Sequence, residues 1–552
     1  MANQITDNRT AVCVAKTSAP ASETWDAASS ASEDTEIFIE GDTSIAEHIT
    51  NSRRYIAYDS GGSNDWSNNV FYIWVNCGVV GLLDTLANGG FRVRFAGNDA
   101  DADTNYFERN IGGNNSWPVA VAGGWAMFVV DIEEAHTNSD AVGGTKPATT
   151  AIRYVGYSAI TTVMTRVADN TWVDAIWRLP DGNPGIIVEG QNGGATPWDS
   201  ADIATQLGVA TGMFIDLGVG GAYKVNAPIQ IGINDTTTHE FEDTNAIWLW
   251  EDQATVPADL YGISALGNVG GTTNVTFGVK TGTGNDATGA QGLTIAAAAA
   301  GARWFMDFDD PNLDSVGLYG CSFQHGATFE LDDAAVDSAS CLFIDTTKAH
   351  VSNAKIVRPT VVNANTADGV AFMDTDDIGD IAYGSFSFSD GHAIEILSGG
   401  PATQSNIGNI FLGAYGGTPG DNNTPASGSN DAMIYNNAGA ARTFNRSGGG
   451  TQPSFRNGTS ATSDDVASIS LTFTPLIVGS DVSVFATGAN TPISSIDSSG
   501  ASYVASVDAG ASIDYKIYAK GYLPIEVFNV SFSLTQNVLI NQQADGNYDE
   551  VD

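Results

Sequence analysis

Hydrophobic residues along this chain occur in short runs that alternate with polar residues, and turn-forming clusters separate the runs. Residues 91–95 have the sequence FRVRF, so one face of this segment is expected to pack while its two arginines face solvent. Clusters of Gly, Asn, Asp and Ser, such as residues 61–65 and 112–115, recur at short intervals. Short alternating runs between such turns predict many short β-strands and few helices. The pattern therefore predicts an all-β protein.

The first two segments differ in their apolar content. Residues 1–34 are small and polar, which predicts an N-terminal arm that becomes ordered against a partner. Residues 35–224 hold most of the tryptophans and contain strand-like runs separated by Gly/Asn turns, which predicts a β-sandwich. Segment 90–132 resembles jelly-roll, concanavalin-like lectin domains. That resemblance implies a lectin-like jelly roll for residues 35–224.

An internal repeat marks residues 225–462. The segment at 319–323 is echoed at 383–387, an offset of 383 − 319 = 64. Strand-like runs recur about every 10 residues and larger units about every 20, as in stacked coils. The spacing of Cys321 and Cys341, 341 − 321 = 20, matches one such coil. This pattern predicts a parallel β-helix, and a further sandwich with irregular hairpins is the alternative.

The last segment, residues 463–552, alternates clearly between apolar and polar positions. It predicts a small β-sandwich of immunoglobulin-like or transthyretin-like type that ends in an acidic tail. Three consecutive glycines at 448–450 precede it and predict a hinge.

Charge narrows the range of partners. The chain has 64 Asp+Glu and 22 Lys+Arg, a formal net charge of −42, which disfavours binding to nucleic acid phosphates and to anionic membranes. Its 42% hydrophobic content argues against an acidic disordered chain. We expect neither a secretory signal nor a membrane-spanning segment. Four cysteines match no zinc template and are expected to be buried thiols: Cys13, Cys77, Cys321 and Cys341.

One acidic loop is a candidate calcium site. Its side chains at spacing two resemble the opening of an EF-hand loop, and the candidate ligands are Asp99, Asp101, Asp103 and Asn105. The EF-hand match then fails, because Thr104 stands where Gly is needed and Asn110 where a bidentate Glu is needed. A looser calcium site in a lectin-like loop is the hypothesis, and a solvated acidic turn is the alternative. No other cofactor is expected.

Acidic clusters in the predicted solenoid are the candidates for catalysis. Paired carboxylates on adjacent coils could serve as acid and base on a glycan, and the candidates are Asp309, Asp310, Asp376 and Asp377. A chain with 64 acidic residues also produces such clusters without a function. His325 and His392 follow the repeated strands, where solvent-facing turn histidines are favoured over general bases.

Tryptophans near Gly/Asn turns are candidate platforms for sugar rings. The candidates are Trp66, Trp117, Trp172 and Trp177, and each has the alternative role of a core anchor. The sequence contains no serine-hydrolase elbow, phosphate-binding loop, dinucleotide fingerprint or HExxH motif.

The predicted arm, repeat and terminal sandwich together resemble bacteriophage tail fibres, tail spikes and head fibres. The resemblance implies a homotrimeric virion protein on the particle surface that binds other virion proteins and a host surface glycan. Two alternatives remain: a tailspike-type polysaccharide depolymerase, acting as a glycoside hydrolase or lyase, and a cell-surface adhesin or surface-layer protein.

Overall fold

The structure is a computed structural model of the chain. Strands make up 60% of it and helices 4%, which confirms the predicted all-β class. The described residues are 4–13, 24–28, 32–39, 43–48, 53–78, 90–97, 102–103, 105–112, 121, 123–133, 146–160, 170–233, 238–250, 261–270, 272–283, 287–297, 303–331, 334–351, 354–357, 360–362, 371–375, 378–382, 385–387, 392–399, 403–408, 411–413, 432–447, 453–508, 512–532 and 536–546.

The chain divides into two compact units. The first comprises Met1–Val279 and Ala290–Ala334, and the second comprises Lys280–Gly289 and Ala335–Asp552. The four segments expected from composition have boundaries that differ from those of the two units, and the four-segment division stays a prediction. No helix among the described residues is long and apolar enough to cross a membrane.

Two antiparallel sheets form the first part of the first unit. The strands up to residue 180, all of which except β1 belong to these two sheets, are β1 (Gln4–Asp7), β2 (Thr10–Cys13), β3 (Thr24–Ala27), β4 (Ser32–Asp34), β5 (Ser44–His48), β6 (Arg54–Asn64), β7 (Asn69–Cys77), β8 (Phe91–Ala96), β9 (Tyr106–Gly112), β10 (Trp125–Asp131), β11 (Ile152–Ala159) and β12 (Asn170–Pro180). One sheet has the order β10-β7-β12-β5-β4, with β2 also on β12, and the other has the order β3-β6-β11-β8-β9. Aromatic stacking fills the shared core, where Phe91 lies 4.7 Å from Phe128 and 5.2 Å from Tyr157 between ring centroids.

The arginine face of residues 91–95 is buried, so the prediction that it faces solvent is wrong. Arg94 is 3% exposed, and its Nη2 lies 2.7 Å from Oε1 of the buried Glu108. Its guanidinium also lies 4.3 Å and 3.8 Å from the ring centroids of Tyr55 and Tyr106. Strand alternation correctly separates two faces, but a second layer of side chains covers the polar one.

Much of the predicted N-terminal arm is paired in sheets. Strand β1 pairs with the later strand Ile186–Glu189, β2 pairs with β12, β3 with β6, and β4 with β5. Residues 14–23 of the arm lie outside the described residues.

Three mainly parallel sheets form the rest of the first unit, and the stretch Lys280–Gly289 within it belongs to the second unit. The strands from residue 186 to 331 are β13 (Ile186–Glu189), β14 (Phe214–Asp216), β15 (Ala222–Val225), β16 (Ile229–Ile231), β17 (Thr238–Phe241), β18 (Ile247–Trp250), β19 (Gly262–Ala265), β20 (Thr273–Phe277), β21 (Val279–Thr281), β22 (Thr288–Ala290), β23 (Thr294–Ala297), β24 (Trp304–Asp307), β25 (Leu313–Tyr319), β26 (Ser322–Gln324) and β27 (Gly326–Leu331). The parallel orders are β13-β16-β19-β24-β27, β15-β18-β23-β26 and β17-β20-β25. Inward aromatic side chains stack between neighbouring strands, as Phe241 of β17 and Phe277 of β20 do with 4.8 Å between ring centroids.

The single α-helix of the described residues, α1 (Ser200–Leu207), begins with a capping box. Asp199 accepts a hydrogen bond from the Asp202 amide at 2.7 Å, which satisfies one of the free amides at the helix start. Ile203 and Leu207 are buried, so the helix packs one apolar face on the protein. Two 3₁₀ turns, Thr149–Ala151 and Val209–Thr211, complete the helical structure described.

The second unit also has three parallel sets of strands. Its strands to residue 474 are β28 (Ala335–Ala339), β29 (Leu342–Ile344), β30 (Lys348–Val351), β31 (Ala354–Val357), β32 (Thr360–Val362), β33 (Ala371–Thr375), β34 (Ile378–Ala382), β35 (Ser385–Ser387), β36 (His392–Ile396), β37 (Thr403–Gly408), β38 (Phe411–Gly413), β39 (Ile434–Asn436), β40 (Ala441–Ser447), β41 (Phe455–Asn457) and β42 (Thr462–Thr474). The orders are β30-β33-β36-β39-β41, β29-β32-β35-β38 and β28-β31-β34-β37-β40-β42.

The two copies of the predicted repeat have a similar order of strands. Strand β26 in the first unit and β35 in the second are both short, and each precedes a longer strand. Strands β29, β32 and β35 begin at Leu342, Thr360 and Ser385, so successive starts differ by 360 − 342 = 18 and 385 − 360 = 25. One interval is shorter and the other longer than the coil length expected from the sequence.

Strand β42 also belongs to a terminal two-sheet structure in the second unit. The remaining strands are β43 (Asp481–Ala486), β44 (Pro492–Ile496), β45 (Tyr503–Asp508), β46 (Ser512–Tyr518), β47 (Ile525–Ser531) and β48 (Gln536–Leu539). Strand β42 pairs with β45 and β48, while the second sheet has the order β44-β43-β46-β47. Leu471, Val484 and Ile517 are buried in the core between them. The predicted glycine hinge at 448–450 lies outside the described residues.

Candidate functional site

A groove on the first unit lies along the outer face of the β13-β16-β19-β24-β27 sheet. Its volume is about 170 Å³. We call it the Phe305 groove, and its central lining residues are Gln230, Gly262, Ser264, Phe305 and Asp307. Alternation along the strands places these side chains opposite the buried ones, since β16 and β24 each alternate buried with more exposed positions.

A glycine lets the ring of Phe305 lie over the neighbouring strand. Gly262 and Phe305 are paired in the parallel register of β19 and β24. A Cβ atom at residue 262 would lie 2.2 Å from the Cζ atom of Phe305 and 2.5 Å from both of its Cε atoms. Only glycine fits beneath the ring in this position. The partly exposed ring thereby becomes part of the groove wall.

Polar side chains form a row beside that ring. Gln230 is paired with Ser264, and Ser264 is paired with Asp307. Neighbouring strands are about 4.8 Å apart, so the row presents an amide, a hydroxyl and a carboxylate at that interval. The Nε2 of Gln230 donates to the Gly232 carbonyl at 2.8 Å, which orients the amide. Glu330 follows Asp307 on the next strand.

These groups suit a sugar better than a charged ligand. The face of an aromatic ring packs against the apolar C–H face of a sugar ring, and amide, hydroxyl and carboxylate groups bond its hydroxyls. The row carries acidic but no basic side chains, so a phosphate or carboxylate ligand would be repelled. The arrangement can bind a neutral, hydroxyl-rich ligand.

A second polar row crosses five parallel strands of the second unit. In register from β30 to β41 it consists of His350, Asp374, Glu395, Tyr435 and Arg456, and we call it the His350–Arg456 row. The sequence signal for it is a polar residue at the paired position of each successive parallel strand. It was missed because the strands are separated by intervals of unequal length.

The two carboxylates of this row are held by different neighbours. Asp374 is buried, and both Lys348 Nζ and His350 Nδ1 contact its carboxylate, the latter at 2.5 Å. Glu395 is partly exposed and accepts a hydrogen bond from Asn437 Nδ2 at 2.9 Å. The register places Asp374 and Glu395 side by side on neighbouring strands.

The other end of the row is an aromatic and cationic cluster. Arg456 lies 4.6 Å from the ring centroid of Tyr435, and the ring of His392 lies 5.2 Å from it. His392 Nδ1 donates to the Ala432 carbonyl at 2.7 Å, so its Nε2 accepts from Arg456 Nη1 at 3.1 Å. His392 is fully buried, so its expected solvent-facing position is wrong. His325 does lie in a turn, with φ 58°.

The predicted catalytic acids have other surroundings. Asp310 accepts hydrogen bonds from the Gly267 amide at 3.1 Å and the Asn312 amide at 2.8 Å, so it braces a turn. Asp309 follows in the same turn after β24, and its amide donates to Asp307 Oδ1 at 3.4 Å. Asp376 and Asp377 lie outside the described residues. A catalytic role for these four residues stays a prediction.

The predicted tryptophan platforms are mostly enclosed. Trp66 and Trp172 are 5% and 7% exposed, and Trp66 packs edge-on against Phe71 at 5.3 Å. The guanidinium of Arg9 lies 5.2 Å from the ring centroid of Trp177. Trp117 lies outside the described residues. A partly exposed aromatic side chain in a groove is instead Phe305, which sequence analysis missed because its partner Gly262 lies on a different strand, far away in the sequence.

The predicted calcium loop is only partly described. Asp103 is exposed, and the Asn105 carbonyl accepts a hydrogen bond from Gly97 at 2.7 Å in a turn where Asn105 has φ 49°. Asp99 and Asp101 lie outside the described residues, so the calcium site stays a prediction. No group of three metal-binding side chains occurs among the described residues. The four cysteines are buried free thiols, as expected.

Comparisons with known proteins give little guidance. No family model and no curated protein matches the chain. Among solved structures, it is similar to the family 11 carbohydrate-binding module of the cellulosomal cellulase Lic26A-Cel5E of Clostridium thermocellum, at 8% identity and TM-score 0.22, over 32% of this chain and 96% of that one. It is also similar to the catalytic domain of a GH87 α-1,3-glucanase in complex with nigerose, at 8% identity and TM-score 0.19, over 80% and 85% of the two chains. Similarities this low carry no argument about fold or function.

Proposed function

We propose that this chain is a structural, fibre- or spike-type virion protein that binds a host surface glycan in the Phe305 groove. The observation that carries the glycan-binding part is the aromatic ring over Gly262 beside the row of Gln230, Ser264 and Asp307. Stacking supplies affinity for a sugar ring, and the row of polar groups supplies orientation.

The proposed architecture supports this role. In the proposal, the parallel sheets of each unit are the faces of a parallel β-helix. The antiparallel sheets before residue 181 form the lectin-like jelly roll, and those after residue 462 form the immunoglobulin- or transthyretin-like sandwich. A strand-rich chain with a large negative charge suits an exposed, well-solvated surface protein. Homotrimer formation, contacts with other virion proteins and a place on the particle surface belong to the same proposal.

Loss of the Phe305 ring tests the glycan-binding part. In affinity electrophoresis against polysaccharide extracted from host envelopes, we expect Phe305→Ala to weaken retardation of the full chain about tenfold, since a stacked ring contributes about 1.4 kcal/mol. Val269→Ala, at an exposed position of the same unit, is the matched control. Equal retardation of Phe305→Ala and the unaltered chain would rule out the groove as the binding site.

A second candidate function is that of a polysaccharide depolymerase. The observation that favours it is the pair Asp374 and Glu395 on neighbouring strands, because two adjacent carboxylates are the minimal apparatus for glycoside hydrolysis. In the hydrolase form, one carboxyl protonates the leaving glycosidic oxygen while the other activates water or attacks the sugar. New reducing ends released by the unaltered chain but not by Glu395→Gln would support this function. If the unaltered chain releases no reducing ends from any host glycan, the depolymerase function is ruled out.

A further inference from the structure

The outer face of the β44-β43-β46-β47 sheet carries an aromatic surface far more exposed than the Phe305 groove. Phe528 is 57% exposed and Tyr518 is 43% exposed, whereas the inward-facing positions of β46 are buried. Phe485 is partly exposed on the neighbouring strand β43. Together with Lys516 and Glu526, these three residues define what we call the Phe528 face. It lies wholly within the second unit.

Register places two rings of the Phe528 face on either side of one strand. Phe485 is paired with Asp514, and Asp514 faces the bulge that contains Phe528. Two strand spacings separate β43 from β47, which amounts to about 9.5 Å. That interval is comparable to the length of a disaccharide, so an extended glycan can place two of its sugars on the two rings.

The bulge that presents Phe528 is held by hydrogen bonds. Asn529 has φ 56°, in the left-handed region, which turns the strand at this point. Asp514 Oδ1 accepts from the Asn529 amide at 2.8 Å, and its Oδ2 accepts from the Gly488 amide at 3.1 Å. These bonds keep the pKa of the Asp514 carboxyl below its usual range. The exposed ring therefore stands on a fixed piece of backbone.

Polar groups between the rings are also held in place. Lys516 Nζ lies 5.9 Å from the Phe485 centroid and 5.8 Å from the Phe528 centroid. The same nitrogen is 3.5 Å from Glu526 Oε1, which accepts a hydrogen bond from the Tyr518 hydroxyl at 2.5 Å. The Lys516 ammonium, a donor for sugar hydroxyls, thus lies close to both rings, and the Glu526 carboxylate, an acceptor, lies beside it.

The charged side chains on the Phe528 face favour a neutral glycan as its ligand over a protein or an acidic polysaccharide. The centre of a protein–protein interface is depleted of charged residues, yet every ring here adjoins one. Three acidic side chains and one basic side chain lie on the face, namely Asp481, Asp514, Glu526 and Lys516, in a chain whose net charge is −42. An acidic polysaccharide would therefore be repelled.

We infer that the Phe528 face binds a neutral, extended glycan by stacking two of its sugar rings on Phe485 and Phe528. This second site shares its ligand class with the proposed function but none of its residues. Either site can therefore fail without the other.

The test is affinity electrophoresis of the full chain in gels containing hydroxyethyl cellulose, galactomannan or dextran as neutral probes, and polygalacturonate as the acidic one. We expect retardation by at least one neutral probe, little change as salt is raised, and none by polygalacturonate. Phe528→Ala and Phe485→Ala should each weaken binding about tenfold. Phe528→Tyr should retain it, and Phe528→Leu, which keeps apolar bulk without a ring face, should lose it.

Leu539→Ala is the matched control, because Leu539 is an exposed apolar residue on the other sheet of this terminal structure. One outcome would overturn this inference and leave the groove proposal standing. In that outcome, Phe305→Ala loses retardation, whereas Phe485→Ala and Phe528→Ala both keep it. Retention by polygalacturonate alone would overturn it as well. So would sedimentation velocity showing self-association that Phe528→Ala abolishes, since the face would then bind a second copy.

Discussion

At the scale of single residues, the absence of one side chain creates the Phe305 groove. Gly262 leaves the space that the Phe305 ring occupies, and the two residues are brought together by the register of β19 and β24. The ring is partly exposed, so its position matters more for binding than for stability.

Gly262→Ala is therefore expected to displace the Phe305 ring and to weaken glycan binding about tenfold, with a small shift in thermal midpoint. Affinity electrophoresis and differential scanning fluorimetry measure the two effects. Gly62→Ala is the control, because a Cβ there meets nothing within 4 Å. Unchanged binding by Gly262→Ala would mean that the ring position does not matter.

Glu108 is the counter-charge for buried arginines in the first unit. It is fully buried, and its carboxylate lies 2.7 Å from Arg94 and 3.5 Å from Arg92. Removing one partner of a buried ion pair costs about 3 kcal/mol, so Glu108→Gln should lower the free energy of unfolding by about that amount. Urea unfolding followed by tryptophan fluorescence measures it. The exposed Glu133→Gln should change it by less than about 0.5 kcal/mol, and equal effects would contradict the assigned role of Glu108.

Sequence alternation predicted strands well because it depends only on neighbouring residues. It correctly separated the two faces of residues 91–95, yet it could not reveal that Tyr55, Tyr106 and Glu108 would cover the arginines. The same limit applies to the candidate sites. Their residues lie on neighbouring strands of a sheet, so identifying them requires the register between strands that are far apart in sequence.

At the scale of elements, close approach between backbone segments constrains the stacked strands of the first unit. A Cβ at Gly292 would lie 2.4 Å from the Tyr319 carbonyl oxygen and 2.4 Å from the Gly320 carbonyl carbon. Backbone atoms cannot move aside as a side chain can.

We therefore expect Gly292→Ala to separate these segments and to lower the thermal midpoint of the chain by several degrees, as a destabilisation of about 2 kcal/mol would. Differential scanning calorimetry and limited proteolysis near residue 292 are the measurements. Gly62→Ala again serves as the control. A midpoint equal to that of the unaltered chain would show that the approach is not tight.

The bulge in β47 gives the Phe528 face a defined response to acid. Hydrogen bonds from Asn529 and Gly488 lower the pKa of Asp514 in the folded protein. Because the pKa of Asp514 is lowered in the folded protein, its carboxylate stabilises the bulge fully at pH values above the unfolded pKa of about 3.9. This stabilisation is lost as the pH falls through the pKa of Asp514 in the folded protein. Binding of neutral glycan at this face should therefore persist to about pH 4 and fall below it. Asp514→Ala should bind weakly at every pH, and a loss of binding already near neutrality would contradict the assignment.

At the scale of the whole molecule, a homotrimer is the assembly that the proposed fibre role requires. Mass photometry at nanomolar concentration should show a single species with three times the chain mass of 57.4 kDa. A strict monomer would contradict the fibre role. Neither outcome bears on which residues bind glycan.

The claim at the centre of this account is that a sugar ring stacks on Phe305. A crystal structure of the full chain soaked with a neutral oligosaccharide from the host surface tests it most directly. We predict a sugar ring over the Phe305 side chain, with a sugar hydroxyl within hydrogen-bonding distance of the Asp307 carboxylate. An empty Phe305 groove at saturating oligosaccharide, with the sugar bound elsewhere or nowhere, would contradict it.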